Sequence, residues 1–386
     1  MRIVHTSDWH LGRRWKGVQR LGEMEAVLDH LGTFIEQEAV DLVLHTGDVF
    51  DSRNPPAEAE RLVNRFFVRI ARAGRQMVVI AGNHDDPRRF DAWSLLAEYA
   101  RVQILGGPRS AAQGGTRVVE TRSGERAVVA ALPFAPAGAW VSALDLAGEE
   151  AGARSKYARM FQRAVQNLCQ PFRSDAVNLL LAHTHLEGVA FGSSERRVHI
   201  GDDWAATSQA LPSTASYVAL GHIHQPQKIP GTLPAYYAGS ALQLDFGEAG
   251  QGRTFVVVTA SPGRPAKVEH VPYEGGLPLV DLRATLAELG EIAARHREGC
   301  WLHVTVPLAD KDPDISRKVR DLLPNALVVR AELPEPEEQR VVRPEAGASP
   351  AEHYAAYHLQ EHQAEPGSEV LGTFRQLHAT ASGTEG

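Results

Sequence analysis

Short runs rich in Val, Ile and Leu recur along the chain, and each ends in polar residues. The five clearest are RIVHTSD, DLVLHTGD, MVVIAGNHD, NLLLAHTH and YVALGHIH. Runs of this length and composition are typical of buried strands that lead into loops. Helical patterns lie between the early runs, and in one of them Leu62, Phe66 and Ile70 share a face. The pattern therefore predicts strands that alternate with helices.

This alternation favours a layered α/β domain whose strands are covered on both faces and which ends near residue 273. Ligands of such sheets usually bind at the carboxyl ends of the strands, and the polar motifs lie at those ends. We predict an α/β layered sandwich with a small αβ cap domain and C-terminal helices.

The chain has 386 residues, which is more than a single hydrophobic core of about 250–300 residues usually holds. We predict a main domain of residues 1–273 and a cap of residues 274–331 with the order helix, strand, helix, strand. An acidic, Pro-rich linker of residues 332–350 and a helical segment of residues 351–386 follow. The apolar stripe of that segment, which includes Val370 and Phe374, either packs on the main domain or docks onto a partner.

The net charge of −7 comes from the C-terminal part of the chain, because residues 331–386 contain ten glutamates and three arginines. The remaining body is neutral, so its total charge neither requires nor excludes a polyanionic substrate. Basic residues near the motifs are candidate DNA contacts and are equally well explained as solvated loop charge: Arg13, Arg14, Lys16, Arg88 and Arg89. The sequence contains no apolar stretch of about 18 residues, so we expect a cytoplasmic protein without a membrane span.

Five segments each bring possible metal ligands to the end of a predicted strand. They are Asp8-x-His10, Gly47-Asp48, Gly82-Asn83-His84-Asp85, His183 and Gly221-His222-x-His224. One such residue alone is more often a loop cap or a surface group. The set as a whole predicts a metal site. Mixed imidazole, carboxylate and amide ligands suit manganese or iron better than magnesium or a thiolate-bound zinc.

These motifs resemble the pattern of the calcineurin-like metallophosphoesterases, which is D-x-H, GD, GNHD/E, H and GHxH. The segments HTSDWHLG, GDVFD, AGNHD and ALGHIHQPQ also resemble the nuclease-subunit family of bacterial SbcCD complexes. That family is the counterpart of the archaeal and eukaryotic double-strand-break repair nucleases. The resemblance extends over residues 1–250, and the cap and tail match only in layout.

The resemblance implies two metal ions that share Asp48. One ion would be bound by Asp8, His10, Asp48 and His224, and the other by Asp48, Asn83, His183 and His222. His183 is preferred to His185 because it stands five residues before Gly188, as the family pattern requires. We expect two Mn²⁺ ions, with iron or magnesium as alternatives.

The resemblance also implies the catalytic roles. His84 would contact the scissile phosphate and assist the leaving oxygen, while Asp85 would orient His84 or cap its loop. Some relatives carry a histidine where this chain has Asp51, so a direct catalytic role for Asp51 is not expected.

The activity that the resemblance implies is a two-metal DNA nuclease of repair, recombination and replication. It would be a 3′-to-5′ double-strand exonuclease and a single-strand or hairpin endonuclease. The expected partners are DNA, an SbcC-type coiled-coil ATPase docked by the tail helices, and a second copy within a nucleoid-associated heterotetramer. The segment around Leu62, Phe66, Leu95 and Leu96 is the candidate dimer surface. Two alternatives are a small-molecule phosphodiesterase or phosphatase of the same fold, and a non-catalytic scaffold.

Overall fold

The computed structural model describes residues 1–122, 124–135, 153–191, 194, 205–334, 348–362 and 364–382. The chain forms two compact units, one of residues 1–305 and 314–330 and one of residues 306–313 and 331–386. The domain boundaries that the sequence suggests stay predictions. Residues 335–347 of the predicted linker lie outside the described residues.

One six-stranded sheet contains the first three metal-ligand motifs. Its strands are, in spatial order, Lys267–Pro272 (β16), Thr254–Thr259 (β15), Arg2–Thr6 (β1), Leu42–His45 (β4), Gln76–Ile80 (β5) and Val102–Leu105 (β6). Strands β1, β4, β5 and β6 run parallel, so the loops that follow them leave the same edge of the sheet. Strands β15 and β16 extend the sheet with antiparallel pairings.

A second six-stranded sheet contains the remaining motifs. Its strands are, in spatial order, Gln227–Lys228 (β13), Ala235–Tyr237 (β14), Tyr217–Gly221 (β12), Val177–His183 (β9), Arg126–Leu132 (β8) and Thr116–Glu120 (β7). The four central strands are parallel, so the ends of β9 and β12 are neighbours. His183 therefore lies opposite Gly221, directly before His222.

The two sheets pack face to face and helices cover their outer faces. Ile3, Leu44 and Val78 of the first sheet share a buried cluster with Leu179 and Tyr217 of the second. Three helices, Leu21–Gln37 (α1), Ala57–Arg72 (α2) and Pro87–Ala97 (α3), cover the first sheet, and Ala153–Cys169 (α4) covers the second. The prediction of a layered α/β sandwich with strands covered on both faces is confirmed.

The apolar face of α2 packs into this core. Leu62 and Phe66 are 5% and 3% exposed, and the Phe66 ring lies 5.2 Å from that of Trp9. They are therefore unavailable as a dimer surface, and this part of the prediction was wrong. Leu95 and Leu96 on α3 are 73% and 77% exposed.

The cap region contains one strand more than the sequence predicts. Its elements are Leu279–Arg283 (β17), Leu286–His296 (α5), Trp301–Pro307 (β18), Ile315–Leu322 (α6) and Ala326–Glu332 (β19). The Thr285 hydroxyl accepts the backbone N–H of Glu288, and the Glu288 carboxylate accepts that of Thr285. This capping box starts the helix after Thr285 and leaves residues 279–283 to pair with β18.

The main unit also contains two two-stranded ladders. They are Arg14–Trp15 (β2) with Val18–Gln19 (β3), and His185–Leu186 (β10) with Ala205–Ala206 (β11). In the second unit, Pro350–His362 (α7) and Ser368–Ser382 (α8) pack against each other through a stacked pair, Tyr354 and Phe374, whose rings are 4.3 Å apart. Over the described parts of the chain, no helix has the length and apolar character that crossing a bilayer requires.

Candidate metal centre

The motifs of both sheets meet where their parallel strands end. The loop after β1 is joined to the loop after β4 by two 3.0 Å hydrogen bonds, from the Asp8 amide to the Gly47 carbonyl and from the His10 amide to the Asp48 carbonyl. The loop after β12 joins them, since the His222 amide donates to the Asp8 carboxylate at 3.2 Å. The fold thus brings motifs more than 200 residues apart into one buried cluster.

The first group of ligands consists of Asp8, His10, Asp48 and His224. One ligand atom from each lies within 4.8 Å of the others, and all four side chains are buried. Burial lowers the pKa of His10 and holds that of His224 well below its ordinary value. Both imidazoles are therefore neutral near pH 7, which is the form that binds a metal ion.

The arrangement of these two rings fits a cation between them. His10 Nδ1 lies 3.2 Å from the Asp51 carboxylate, and His224 Nδ1 lies 2.6 Å from the Ser194 hydroxyl. With the proton on Nδ1 in each ring, the two Nε2 lone pairs face each other at 3.1 Å. Two facing lone pairs repel each other, so a bound cation stabilises this arrangement.

The second group consists of Asn83, His183 and His222. Asn83 Oδ1 lies 2.9 Å from His183 Nε2 and 2.9 Å from His222 Nδ1. His183 Nδ1 donates to the Thr46 carbonyl at 2.7 Å, which directs Nε2 towards Asn83. The structure places His183 beside Asn83, whereas His185 is buried and packs edge-on against Phe191.

Asp48 lies between the two groups. Its Oδ2 is 3.7 Å from His10 Nε2 and 3.6 Å from His183 Nε2, and its Oδ1 accepts the His84 amide at 2.8 Å. Burial alone raises the pKa of this carboxyl, but His183, His84, His10 and the His84 amide hold it below its ordinary value. Asp48 is thus an ionised carboxylate in contact range of both ligand groups, as a bridging ligand must be.

His84 is held at the edge of the centre without belonging to either group. Its Nδ1 donates to the Asp51 carbonyl at 2.8 Å, and its ring packs edge-on against His10 at 4.7 Å. Asp51 therefore orients both His10, through its side chain, and His84, through its backbone. The sequence did not reveal this double role, because it depends on contacts made only in the folded chain.

Asp85 stabilises the loops of the centre. Its carboxylate accepts the backbone N–H groups of Gly82, Val49 and Phe50 at 2.8–3.2 Å. Burial and the charge of Asp48 raise its pKa to about 7. The sequence left two roles open for Asp85, the orientation of His84 and the loop cap. These contacts support the loop cap, which we propose as its role.

The backbone of the centre is strained. Asp8, His10, Asp48 and His222 all have positive φ angles of 48° to 100°. Such conformations cost about 1–3 kcal/mol each in residues other than glycine and persist where the surrounding structure imposes them. Four of them among the proposed metal ligands indicate that the ligand positions are fixed by the fold.

The candidate DNA contacts differ in their availability. Arg14, Lys16 and Arg88 are exposed. Arg13 lies 3.3 Å from the Asp51 carboxylate, and Arg89 pairs with Glu60, so these two are partly neutralised by acidic neighbours.

The donor set fits divalent metal ions, because two buried clusters of imidazole, carboxylate and amide groups share an ionised carboxylate. A family model described as calcineurin-like phosphoesterase matches residues 1–226. A second model, described as the type 5 capsule protein repressor C-terminal domain, matches residues 276–357. The fold and the two ligand groups are those of a metal-dependent phosphoesterase.

Curated relatives narrow this class. The chain is 35% identical to the SbcD subunit of the nuclease SbcCD from Bacillus subtilis, over 81% of this chain and 80% of that protein. Its identity to the protein of the same name is 31% in Escherichia coli K12 (83% and 82% covered) and 31% in Rhodobacter capsulatus (79% and 80% covered). The chain belongs to the calcineurin-like phosphoesterases and, among them, to the SbcD family of SbcCD nuclease subunits.

A substitution at Gly82 would test how closely the metal centre is packed. A Cβ atom at this position would lie 2.1 Å from Asp48 Oδ1. We expect Gly82→Ala to displace Asp48, to weaken Mn²⁺ binding at least tenfold and to lower the melting temperature of the metal-free protein. Titration calorimetry and thermal unfolding measure both effects.

Gly290→Ala is the matched control, because a Cβ there meets no atom within 4 Å and the residue lies inside α5. This change should leave Mn²⁺ affinity unchanged and slightly raise stability. Wild-type Mn²⁺ affinity in Gly82→Ala would contradict the placement of Asp48.

Proposed function

We propose that the protein is a DNA nuclease that uses two Mn²⁺ ions, and that it is the catalytic subunit of an SbcCD-type complex. The position of Asp48 between two buried ligand groups is the observation that carries this proposal. Asp8, His10 and His224 complete one site, and Asn83, His183 and His222 complete the other. The name shared by the curated relatives supports the nuclease activity and the subunit role.

When bound at these two sites, divalent metal ions would neutralise charge on the phosphodiester and activate a water nucleophile. The chain itself positions the groups around that phosphate. The Asp51 carbonyl holds the His84 ring by Nδ1, so Nε2 is the atom that acts on the leaving oxygen. The amide contacts of Asp85 keep the loops of Asp48 and His84 together.

DNA as substrate agrees with the surface next to the centre. Arg14 and Lys16 lie on the β2–β3 hairpin that follows the Asp8-x-His10 motif, and Arg88 follows the His84 loop. Exposed cations flanking a metal centre bind a phosphate backbone without reading its sequence. We propose 3′-to-5′ exonuclease action on duplex ends and endonuclease action on single strands and hairpins.

The remaining proposals concern partners. In the second unit, Val370 and Leu377 of α8 are 41% and 65% exposed, which suits a helix that docks onto the coiled-coil base of an SbcC-type ATPase. Leu95, Leu96 and Tyr99 form an exposed apolar patch in the main unit. We propose this patch, without Leu62 and Phe66, as the homodimer surface of a nucleoid-associated heterotetramer.

The central test is the action of His84→Ala on end-labelled linear duplex DNA in Mn²⁺. We expect cleavage to fall by about 10²–10⁴-fold, because the proton donor to the leaving oxygen is lost. Binding of two Mn²⁺ should persist, since His84 belongs to neither ligand group. Gel analysis and calorimetry measure the two quantities, with EDTA as the metal-free reference.

The control is His353→Ala, which changes an exposed histidine of α7 and should retain wild-type cleavage. Undiminished cleavage by His84→Ala would exclude the proposed role of His84. If the wild-type protein leaves DNA intact but hydrolyses a small chromogenic diester, the nuclease proposal is wrong. The alternative, a small-molecule phosphodiesterase, would then be the function.

The docking proposal predicts that nuclease activity can be retained when binding to the ATPase is lost. Deletion of residues 345–386 should spare Mn²⁺-dependent nuclease activity and abolish binding to the ATPase in a pull-down. In the full chain, replacing Val370 and Leu377 together by Asp should have the same effect, while Gln376→Ala, at an exposed polar position of α8, should not. Retained ATPase binding after the deletion would contradict docking through these helices.

A further inference from the structure

A buried ion pair lies behind His224, outside the two groups of proposed metal ligands. The Glu248 side chain is fully buried and that of Arg253 is 6% exposed, and Glu248 Oε2 lies 2.6 Å from Arg253 Nη2. Burying two charges is favourable only when their geometry is good and further hydrogen bonds satisfy both groups. The further hydrogen bonds of this pair lead to His224.

The carboxylate reaches the His224 ring through one hydroxyl. Ser194 Oγ contacts Glu248 Oε1 and lies 2.6 Å from His224 Nδ1, and Glu248 Oε1 is 3.9 Å from the same nitrogen. An ionised carboxylate only accepts hydrogen bonds, so the Ser194 hydroxyl donates to Glu248. The hydroxyl oxygen then accepts the proton of His224 Nδ1. This order leaves the lone pair on His224 Nε2, the atom that faces His10 Nε2 at 3.1 Å.

The guanidinium holds the backbone of the same residue. Arg253 Nη1 donates to the His224 carbonyl at 2.7 Å, and the Ser240 amide donates to that carbonyl at 3.0 Å. The two members of one ion pair thus fix the ring of His224 and its main chain. A change of either member alters both contacts, because each charge stabilises the other.

We propose that Glu248 and Arg253 are positioning residues that fix the tautomer and orientation of His224 and so present Nε2 to the metal ion. The inference rests on the metal centre of the proposed function. Groups that hydrogen-bond to metal ligands change metal affinity by about 10–100-fold when they are replaced. The competing explanation is that the pair only stabilises the segment of residues 244–253.

Glu248→Gln separates these explanations because it reverses one hydrogen bond. Glu248 Oε2 accepts from two donors, the Leu244 amide at 2.7 Å and Arg253 Nη2. Because both groups are donors, the side-chain oxygen of the introduced glutamine must take the place of Oε2. The NH₂ group of the glutamine then takes the place of Oε1 and faces Ser194. The hydroxyl must then accept from the glutamine and donate to His224 Nδ1. The proton of His224 moves to Nε2, the atom that should bind the metal.

The experiment compares wild-type protein with Glu248→Gln in two measurements. In metal-free protein with ¹⁵N-labelled histidine, two-bond ¹H–¹⁵N correlation spectra report the tautomer of His224 directly. We expect Nδ1–H in the wild type and Nε2–H in the variant. Calorimetric titration with Mn²⁺ should show one of two sites weakened at least tenfold and the other within twofold of the wild type.

Asn178→Ala is the control for a loss of stability alone. Asn178 is buried at the start of β9, at the opposite end from His183, and its amide donates to the carbonyls of Arg173 and Thr214 at 2.9 and 3.1 Å. This variant should lower the melting temperature and retain both Mn²⁺ affinities. An unchanged His224 tautomer and unchanged Mn²⁺ affinity in Glu248→Gln would overturn the proposal, as would an equal loss of affinity in Asn178→Ala.

These outcomes are independent of the proposed nuclease activity. A wild-type protein that binds two Mn²⁺ ions and leaves DNA intact would contradict the nuclease, while the tautomer change and the selective loss of one site would still establish the role of Glu248.

Discussion

The metal centre depends on one buried carboxylate, that of Asp48. It lies 3.6–3.7 Å from an imidazole of each ligand group and accepts the amide of His84. A buried negative charge requires compensation, and here neighbouring imidazoles and an amide N–H provide only part of it. Two bound cations, one on each side of the carboxylate, would complete the compensation. The proposed two-metal chemistry therefore follows from the need to neutralise this charge inside the protein.

The fold brings the ligands to Asp48 through close backbone contact between loops of two different sheets. Gly82 and Gly221 leave no space for a Cβ atom, since one would lie 2.1 Å from Asp48 Oδ1 and 2.2 Å from the Thr46 carbonyl, respectively. The network continues between the sheets, where His5 bridges the Tyr217 hydroxyl and the Thr46 hydroxyl at 2.9 and 3.0 Å. Burial lowers the pKa of His5 to about 3, so the ring stays neutral and can accept one of these hydrogen bonds while it donates the other. Ligand positions are thus fixed by packing that extends well beyond the ligands.

The sequence was sufficient for the five strands that carry the motifs, for helices between the early strands and for the motifs that meet at the strand ends, because all of these are local patterns. The sequence was insufficient where the same apolar pattern fits both a buried core and an exposed interface. The stripe of Leu62 and Phe66 suits a core as well as a dimer surface, and only the fold shows that it is buried. Residues 279–283 contain two charges beside a turn-rich segment, and so gave no strand signal. Asp51 and Arg253 lie in loops and Glu248 ends a short 3₁₀ helix, all without a characteristic spacing. Their contacts with His10 and His224 arise from tertiary structure alone.

The most direct test of a two-metal centre bridged by Asp48 is the anomalous scattering of crystals grown with Mn²⁺, recorded at the manganese absorption edge. We expect two peaks about 3.5–4 Å apart, on either side of the Asp48 carboxylate. One peak should be surrounded by Asp8, His10 and His224, and the other by Asn83, His183 and His222. A single peak, or two peaks of which one lies away from Asp48, would contradict the assignment of Asp48 as the shared ligand and with it the proposed mechanism.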